Sequence, residues 1–443
     1  MDLEGYARKM LRNLREEEVE RKLAERIAEI KDWSLEKATL WAKAVIKEVK
    51  NAYSKTNWLL DYYRTGVTMG SFGVGSRGRG DFYVHSKIGD ISRVSAVLSP
   101  KDLDDAGVVE REGLYIAVAV DGIHSRLSEF PFLSGFHATR AAMRDVYVKG
   151  AEPVAVFSDI HIADDGDVSK IFDHIAGIAT VCEATGVPLV SGSTLRIGGD
   201  MVIGERMTGC VGCVGVARYI MPRKRAMEGD LILLTEGSGG GTVATAAIYH
   251  GMHEIVEETI NLDFIKAARA IFSANLVPEI HSMSDVTNGG IRGDAEEISK
   301  VSGKALVFEY EKLRSCVNSR VLKMLEELGI DFMGISIDSL MIICPETVAE
   351  RVKKVVRSAG VKIEEVGWVE KGKGAYLIDG EIRKEMKPKF RESAYTPLKK
   401  VVGEEMPRDF EDMRRKVDEA VERAIEKKNR VLRMLINNSN HNY

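Results

Sequence analysis

The chain has 443 residues, 63 Lys and Arg against 67 Asp and Glu for a formal net charge of −4, and 44% hydrophobic residues. That length implies two domains plus appendages, and the apolar content supports real cores. The charge balance argues against general nucleic-acid binding, no apolar run approaches a membrane span, and five cysteines are no disulfide framework. The opening MDLEGYARKM lacks the apolar core of a secretory signal, so a soluble cytoplasmic protein is expected.

Residues 1–65 predict two amphipathic helices. Leu14, Val19, Leu23, Ile27 and Ile30 recur at helical spacing, as do Leu35, Ala42, Val45, Ile46 and Val49. Ser34 precedes the second run as an N-cap. Both read as packing or interface elements. The stretch 70–80, GSFGVGSRGRG, is the most glycine-dense in the chain and holds two arginines. Glycines let backbone N–H groups approach an anion, and Arg offers a planar phosphate partner. The stretch matches neither a Walker A loop nor a dinucleotide-binding turn. Phosphate binding and a flexible linker are both open readings of it.

Lys101 to His124 carries the densest chemistry. Asp104 and Asp105 precede a short apolar run, then a charged turn, Glu110-Arg111-Glu112-Gly113, then the β-branched run Leu114 to Val120, then Asp121. Two strand-like runs around Gly113 predict a hairpin that places residue 105 opposite residue 120. Asp104, Asp105 and Asp121 then converge at its open end. Three carboxylates repel unless a hard cation sits between them, and Mg²⁺ with nucleotide phosphates is the usual one. A cluster at a solvated loop end is the other reading.

A helix over 135–150, ending at Gly150, carries Asp145. A strand at 153–157, a helix at 168–185, a strand at 187–190 and a small-residue turn at 191–194 follow. A β-rich segment at 201–217 holds Cys210 and Cys213, spaced C-x-x-C; without a second such pair these read as core thiols rather than a zinc site. A boundary falls at 221–229. Beyond it a strand at 230–235 leads through Glu236–Thr242, rich in glycine, to a helix whose N-terminus could hold an anion. Ser284–Gly290 precedes a helix at 291–301, with Asp285 or Thr287 as its cap. Strands at 305–308, 340–344, 362–368 and 374–378 alternate with helices at 319–328 and 347–359, an α/β layer pattern. Residues 390–406 look irregular, and a long amphipathic helix follows Pro407. Its mixed charges argue against a membrane role.

Several segments together resemble the aminoimidazole ribonucleotide (AIR) synthetase-related proteins. That group includes AIR synthetase, the formylglycinamidine ribonucleotide amidotransferase, thiamine-monophosphate kinase, selenophosphate synthetase and HypE. LDDAGVV at 103–109 is similar to the group's GDDAAV, AVDGIH at 119–124 to its TDG strand end, and RDVYVKGAEPVAV at 144–156 to its ND…GAxP segment. GDLILLTEGSGG at 229–240 and SDVTNGGI at 284–291 resemble the opening and the D-x-T-x-G-G segment of its second domain. The resemblance implies a PurM-like two-domain α/β (α+β) architecture. A helical extension over 1–65 would precede a β-rich ATP-binding and dimerisation domain over 66–220. An α/β domain over 228–385 and a C-terminal extension over 390–443 would follow.

It also implies ATP and Mg²⁺ as cofactors. Asp104, Asp105 and Asp121 would be metal ligands, with Gly73, Gly75, Arg77, Gly78, Asp145 and Ser193 around the nucleotide. His124, Asp285, Thr287, Gly289 and Gly290 would line the substrate side. The expected activity is phosphorylation of an oxygen on an unidentified small molecule or protein by a homodimer, without nucleic acid or membrane. A nucleotide-binding regulatory subunit without turnover is the alternative. Ser193 stands where the group often has a metal carboxylate, and Arg144 where it has Asn. The ending NNSNHNY has no terminal cysteine, which argues against HypE activity.

Overall fold

The computed structural model describes residues 1–54, 57–76, 78–287, 289–392 and 394–439. Arg77 and Asn288, both in stretches singled out above, lie outside the described residues. The chain divides into two compact units. One comprises Met1–Tyr62, Gly122–Ala138 and Phe157–Val211; the other comprises Tyr63–Asp121, Thr139–Val156 and Gly212–Tyr443.

Three helices, rather than two, occupy the N-terminal stretch: α1 (Leu3–Met10), α2 (Glu16–Lys31) and α3 (Leu35–Ala52). Asp2 caps α1 by accepting from Gly5 N–H, a local signal the apolar period does not carry. Ser34 caps α3 by accepting from Lys37 N–H, as expected. Val19, Leu23 and Ile27 pack with Ala42, Val45, Ile46 and Val49, and Ile203 joins this core. Lys31, buried at the end of α2, is paired with Asp164 and Asp165.

Two helices take up the described ends of the glycine-dense stretch: α4 (Met69–Phe72) and α5 (Arg79–Ile91), the second a helix the glycines conceal from sequence patterning. Then come β1 (Gly107–Arg111), β2 (Leu114–Gly122), α6 (Pro131–Val148), β3 (Glu152–Ile162), α7 (Ser169–Thr185), β4 (Leu189–Arg196) and β5 (Met207–Ala217). The turn expected at 191–194 is instead the middle of β4: small residues there sit in an extended, exposed strand. These strands form one sheet in the order β1-β2-β5-β3-β4.

The remaining elements are β6 (Leu231–Thr235), α8 (Gly241–Tyr249), α9 (Asp263–Ser273), β7 (Ser282–Val286), α10 (Gly290–Ser302), β8 (Ala305–Glu309), α11 (Tyr310–Ser315), α12 (Ser319–Glu327), β9 (Ser339–Cys344), α13 (Glu346–Ser358), β10 (Ile363–Glu370), β11 (Gly374–Asp379) and β12 (Ile382–Glu385). Seven strands pair in the order β12-β11-β8-β10-β6-β9-β7. The β8–β11 pair is parallel, and the other pairs are antiparallel. The strands β6 (LILLT) and β9 (SLMIIC) are almost wholly apolar and buried, as strands covered on both faces are, whereas β10 carries Glu364, Glu365 and Glu370. Ile232, Leu234, Phe308, Met341 and Ile343 pack with Val243, Ile291, Ile298 and Leu325 in one core. The C-terminal stretch adds α14 (Pro397–Val402) and α15 (Phe410–Ser439). Among the described residues no helix is long and apolar enough to cross a membrane.

Candidate functional site

The hairpin forms with the expected register. Glu112 and Gly113 both have positive φ, 54° and 77°, which defines a two-residue turn matched to strand twist. Gly107 pairs with Val118 and Val108 with Ala117. Continued by two residues, that register sets Asp105 across from Val120, next to Asp121. One face of the hairpin, Val108, Ala117 and Ala119, is buried. The other carries Val109, Val118 and Val120, which are 46%, 40% and 57% exposed.

The three aspartates nevertheless have different surroundings. The side chains of Asp104 and Asp105 are 2% and 6% exposed, and their partners Lys149 and Arg223 are 0% and 3% exposed. Asp104 Oδ1 accepts from Lys149 Nζ and from Asp105 N–H, and its Oδ2 accepts from Arg223 N–H at 3.0 Å. Asp105 Oδ1 accepts from Arg223 Nη2 at 2.5 Å, and its Oδ2 lies 3.0 Å from Lys149 Nζ. Arg223 also pairs with Asp294 and Glu297. Burial works against charge on Asp105, but Arg223 and Lys149 prevail and hold its carboxyl below the usual range. Three of the four carboxylate oxygens accept hydrogen bonds from the chain, and the fourth, Asp105 Oδ2, is buried without one and faces the Lys149 ammonium at 3.0 Å. Asp104 and Asp105 do not fit the role of open Mg²⁺ ligands.

Asp121 and Asp145 have other surroundings. Both residues are half-buried, and Asp145 meets the facing charges of Asp285 and Asp121. Burial, then the facing charges of Asp285 and Asp121, push the Asp145 carboxyl well above the usual range, against the pull of Arg144. Burial also raises Asp285, opposed first by Arg144 and later by a hydrogen bond with Asp145. The crowding thus favours the neutral form of the Asp145 carboxyl over its charged form. Asp285 in turn is paired with Arg144, both side chains at most 2% exposed. Arg144 reaches Asp338 at 3.2 Å as well. Burial disfavours its charge, but Asp285 and Asp338 more than compensate. Beside it Arg140, fully buried, is lowered to about 10 by that burial, against the attraction of Asp338.

Asp338 fills the anion position expected at the glycine turn before α8. A Cβ on Gly240 would lie 2.3 Å from Asp338 Oδ2, so the carboxylate packs against the backbone that starts α8. Asp338 adopts a left-handed φ of 56° and accepts from Ser336 Oγ at 2.6 Å. The helix N-terminus is met by an internal carboxylate.

The glycine stretch is clamped. Gly73 and Gly75 have positive φ. The N–H groups of Gly73, Val74 and Ser76 are donated within the stretch, and that of Gly75 to Asp81 Oδ1 at 3.0 Å. A Cβ on Gly78 would meet Phe390 O at 2.1 Å, and one on Gly80 would meet Phe72 O at 1.7 Å. These glycines are needed for backbone packing. Phe72, Phe390, Phe410 and Met413 form a small core beneath them. Glu392 then joins this clamp to α10, accepting from Arg292 Nε at 3.1 Å and Nη2 at 2.7 Å.

Neither Asp285 nor Thr287 caps α10. Asp285 is committed to Arg144, and Gly289 is the N-cap with no side-chain bond. Gly289 and Gly290 have φ of 104° and 59°, and a Cβ on Gly290 would meet Met333 O at 2.2 Å. Thr287 N–H donates to Asp294 Oδ2 at 3.3 Å. His124, half-buried, and Ser193, exposed on β4, belong to the other compact unit. Cys210 and Cys213 are free thiols whose spacing on β5 puts them on alternate faces of the strand. Lys149, Arg223, Asp294, Arg140 and Asp338 went unread in the sequence. Lys149 falls at the end of the helix expected over 135–150, and Arg223 in the boundary expected at 221–229.

Residues 103–217 match the N-terminal domain, and residues 227–380 the C-terminal domain, of the family described as AIR synthase related protein. The chain is 52% identical to "Uncharacterized protein MJ1416" of Methanocaldococcus jannaschii, with 98% of each chain covered. It is 24% identical to carbamoyl dehydratase HypE of Rhodobacter capsulatus over 71% of this chain and 92% of that one. Among solved structures, HypE in a HypE–HypF complex superposes with a TM-score of 0.56 at 20% identity, covering 69% of this chain and 99% of that one. A HypE structure in complex with ATP gives 0.52 at 16% identity, covering 72% and 93%. These likenesses establish an α/β fold shared with HypE, and the chain belongs to the AIR synthase related protein family.

Proposed function

We propose that this chain is a cytoplasmic ATP- and Mg²⁺-dependent enzyme that transfers a phosphoryl group to an oxygen of a small-molecule or protein acceptor, acting as a homodimer. The observation that carries the reading is the crowding of Asp121, Asp145 and Asp285, where burial and the facing carboxylates push the Asp145 carboxyl up. A half-buried pair of this kind fits a divalent ion, and Asp121 and Asp145 would hold it. Mg²⁺ bound there would offset phosphate charge, which is most of what phosphoryl transfer requires. Asp285 accepts from both Arg144 and Asp145, so it fixes the position of the Asp145 carboxyl. Arg144, held by Asp285 and Asp338, keeps the interior side of the group from accumulating net negative charge. The ATP complex of a HypE of the same fold supports the choice of nucleotide. The exposed Val109, Val118 and Val120 face supports a second copy as its cover.

Calorimetric titration of Mg²⁺-ATP tests the reading. Asp121→Asn and Asp145→Asn should each weaken binding by about 1.5–3 kcal/mol, the scale of a charge-assisted contact. Equal affinity in folded wild-type and variant proteins would remove the aspartates from the site.

A further inference from the structure

We propose that Lys149 is a resident cation for the acidic pair Asp104–Asp105, so that this pair never takes a divalent ion. This refines the metal assignment proposed above and rests on it for the identity of the divalent site. It does not rest on it for the role of Lys149.

An ammonium group carries three donors and no acceptor. Lys149 Nζ is surrounded by three oxygens: Asp104 Oδ1, Asp105 Oδ2 at 3.0 Å and Met283 O at 3.0 Å. Its side chain is fully buried. Burial alone would strip the proton from a lysine, but Asp104 and Asp105 overcome it and hold the ammonium above its ordinary range. The three oxygens around Nζ are the surroundings of an ammonium, not of a neutral amine. Arg223 closes the opposite side, donating from its backbone N–H to Asp104 and from Nη2 to Asp105.

A small hard cation needs about six oxygens at short range and usually keeps several waters. In the Asp104–Asp105 pair three oxygens accept hydrogen bonds from the chain, and the fourth, Asp105 Oδ2, is turned to the Lys149 ammonium at 3.0 Å. A monovalent group on a covalent tether does the same electrostatic work without leaving. It also anchors three distant pieces of chain: the segment before β1, the end of α6 and β7. One acidic pair is thereby neutralised by lysine as structure, while the divalent ion of the proposed function is assigned to Asp121 and Asp145.

Lys149→Met tests this directly, since it keeps the length of the side chain and removes its charge. In chelator, the variant should melt below the wild type. Millimolar Mn²⁺ should raise its melting temperature by several degrees more than it raises that of the wild type, because the ion replaces the ammonium. Equal Mn²⁺ shifts in the two proteins would overturn the proposal. Should the variant fail to fold, Asp105→Asn gives the second reading. Free Mn²⁺ counted by paramagnetic resonance should show wild-type affinity within twofold in Asp105→Asn. A tenfold loss there would mean that Asp105 is a ligand and Lys149 is not its substitute. Failure of Asp121→Asn to alter Mg²⁺-ATP binding would remove the nucleotide reading yet leave the Lys149→Met result standing.

Discussion

Replacing Glu392 with Ala should loosen the glycine-dense segment without touching it. Glu392 is 4% exposed and receives a two-pronged bond from Arg292, and its Oε1 also accepts from Lys389 N–H at 2.7 Å. Breaking a buried ion pair from one side costs about 3–5 kcal/mol, since the remaining charge is left stranded. Arg292 keeps Asp331 at 2.6 Å, a partner 34% exposed, which brings the cost to the low end. A value of about 3 kcal/mol follows, equivalent to roughly a hundredfold in a local opening constant. The place to read it is the Arg79 amide, which donates to Lys389 O at 3.2 Å and so reports the clamp itself. Native-state hydrogen exchange should show that amide losing about two orders of magnitude of protection in Glu392→Ala. Replacing both partners, Arg292→Met with Glu392→Met, should recover at least half of the loss, because no charge is then stranded. Unchanged exchange at Arg79 in Glu392→Ala would refute the clamp. A double variant worse than the single would refute its electrostatic basis.

Three other perturbations have definite signs. Gly80→Ala places a Cβ 1.7 Å from the Phe72 carbonyl, a contact that only backbone movement relieves; we expect a loss of about 3 kcal/mol or more, read as a large fall in melting temperature. His174 is held below its ordinary pKa by burial, partly offset by the Pro131 carbonyl, and so is neutral in the fold. Its unfolded form takes up a proton near pH 6.5, so its share of stability is present above that pH and is lost as pH falls below it, by at most about 1.4 kcal/mol per pH unit. His174→Gln should flatten the decline of melting temperature between pH 7 and 5, and an identical slope would contradict this. Val120→Lys puts a charge on the exposed hairpin face and should convert a dimer to a monomer by light scattering; a wild type already monomeric at micromolar concentration would dismiss the proposed dimer.

What could be read from the sequence divides along the range of the interactions. The hairpin register was legible because Glu112-Gly113 is a local turn signal between alternating runs, and the Ser34 cap because it lies three residues from its donor. α5 was hidden because Gly80 and Gly89 break the apolar period, although both sit where a Cβ would collide with neighbouring chain. β4 was misread at 191–194 because small polar residues signal turns when burial is unknown. The charge pattern of the site was the least legible part. Lys149 finds Asp104 across 45 residues and Met283 across 134, and Arg144 finds Asp285 across 141. Asp104, Asp105 and Asp121 look alike in the sequence. The buried cations Lys149 and Arg223 set Asp104 and Asp105 apart, and no local signal announces them.

The central claim is that Asp121 and Asp145, and not Asp104 and Asp105, hold the divalent ion of a bound nucleotide. A crystal grown with Mn²⁺ and the β,γ-methylene analogue of ATP, measured for the anomalous signal of manganese, tests it most directly. The account predicts a manganese peak in contact with Asp121 and Asp145 and with nucleotide phosphate, with Lys149 still between Asp104 and Asp105. A peak seated between Asp104 and Asp105 with the Lys149 ammonium displaced, or nucleotide bound with no metal near Asp121, would contradict it.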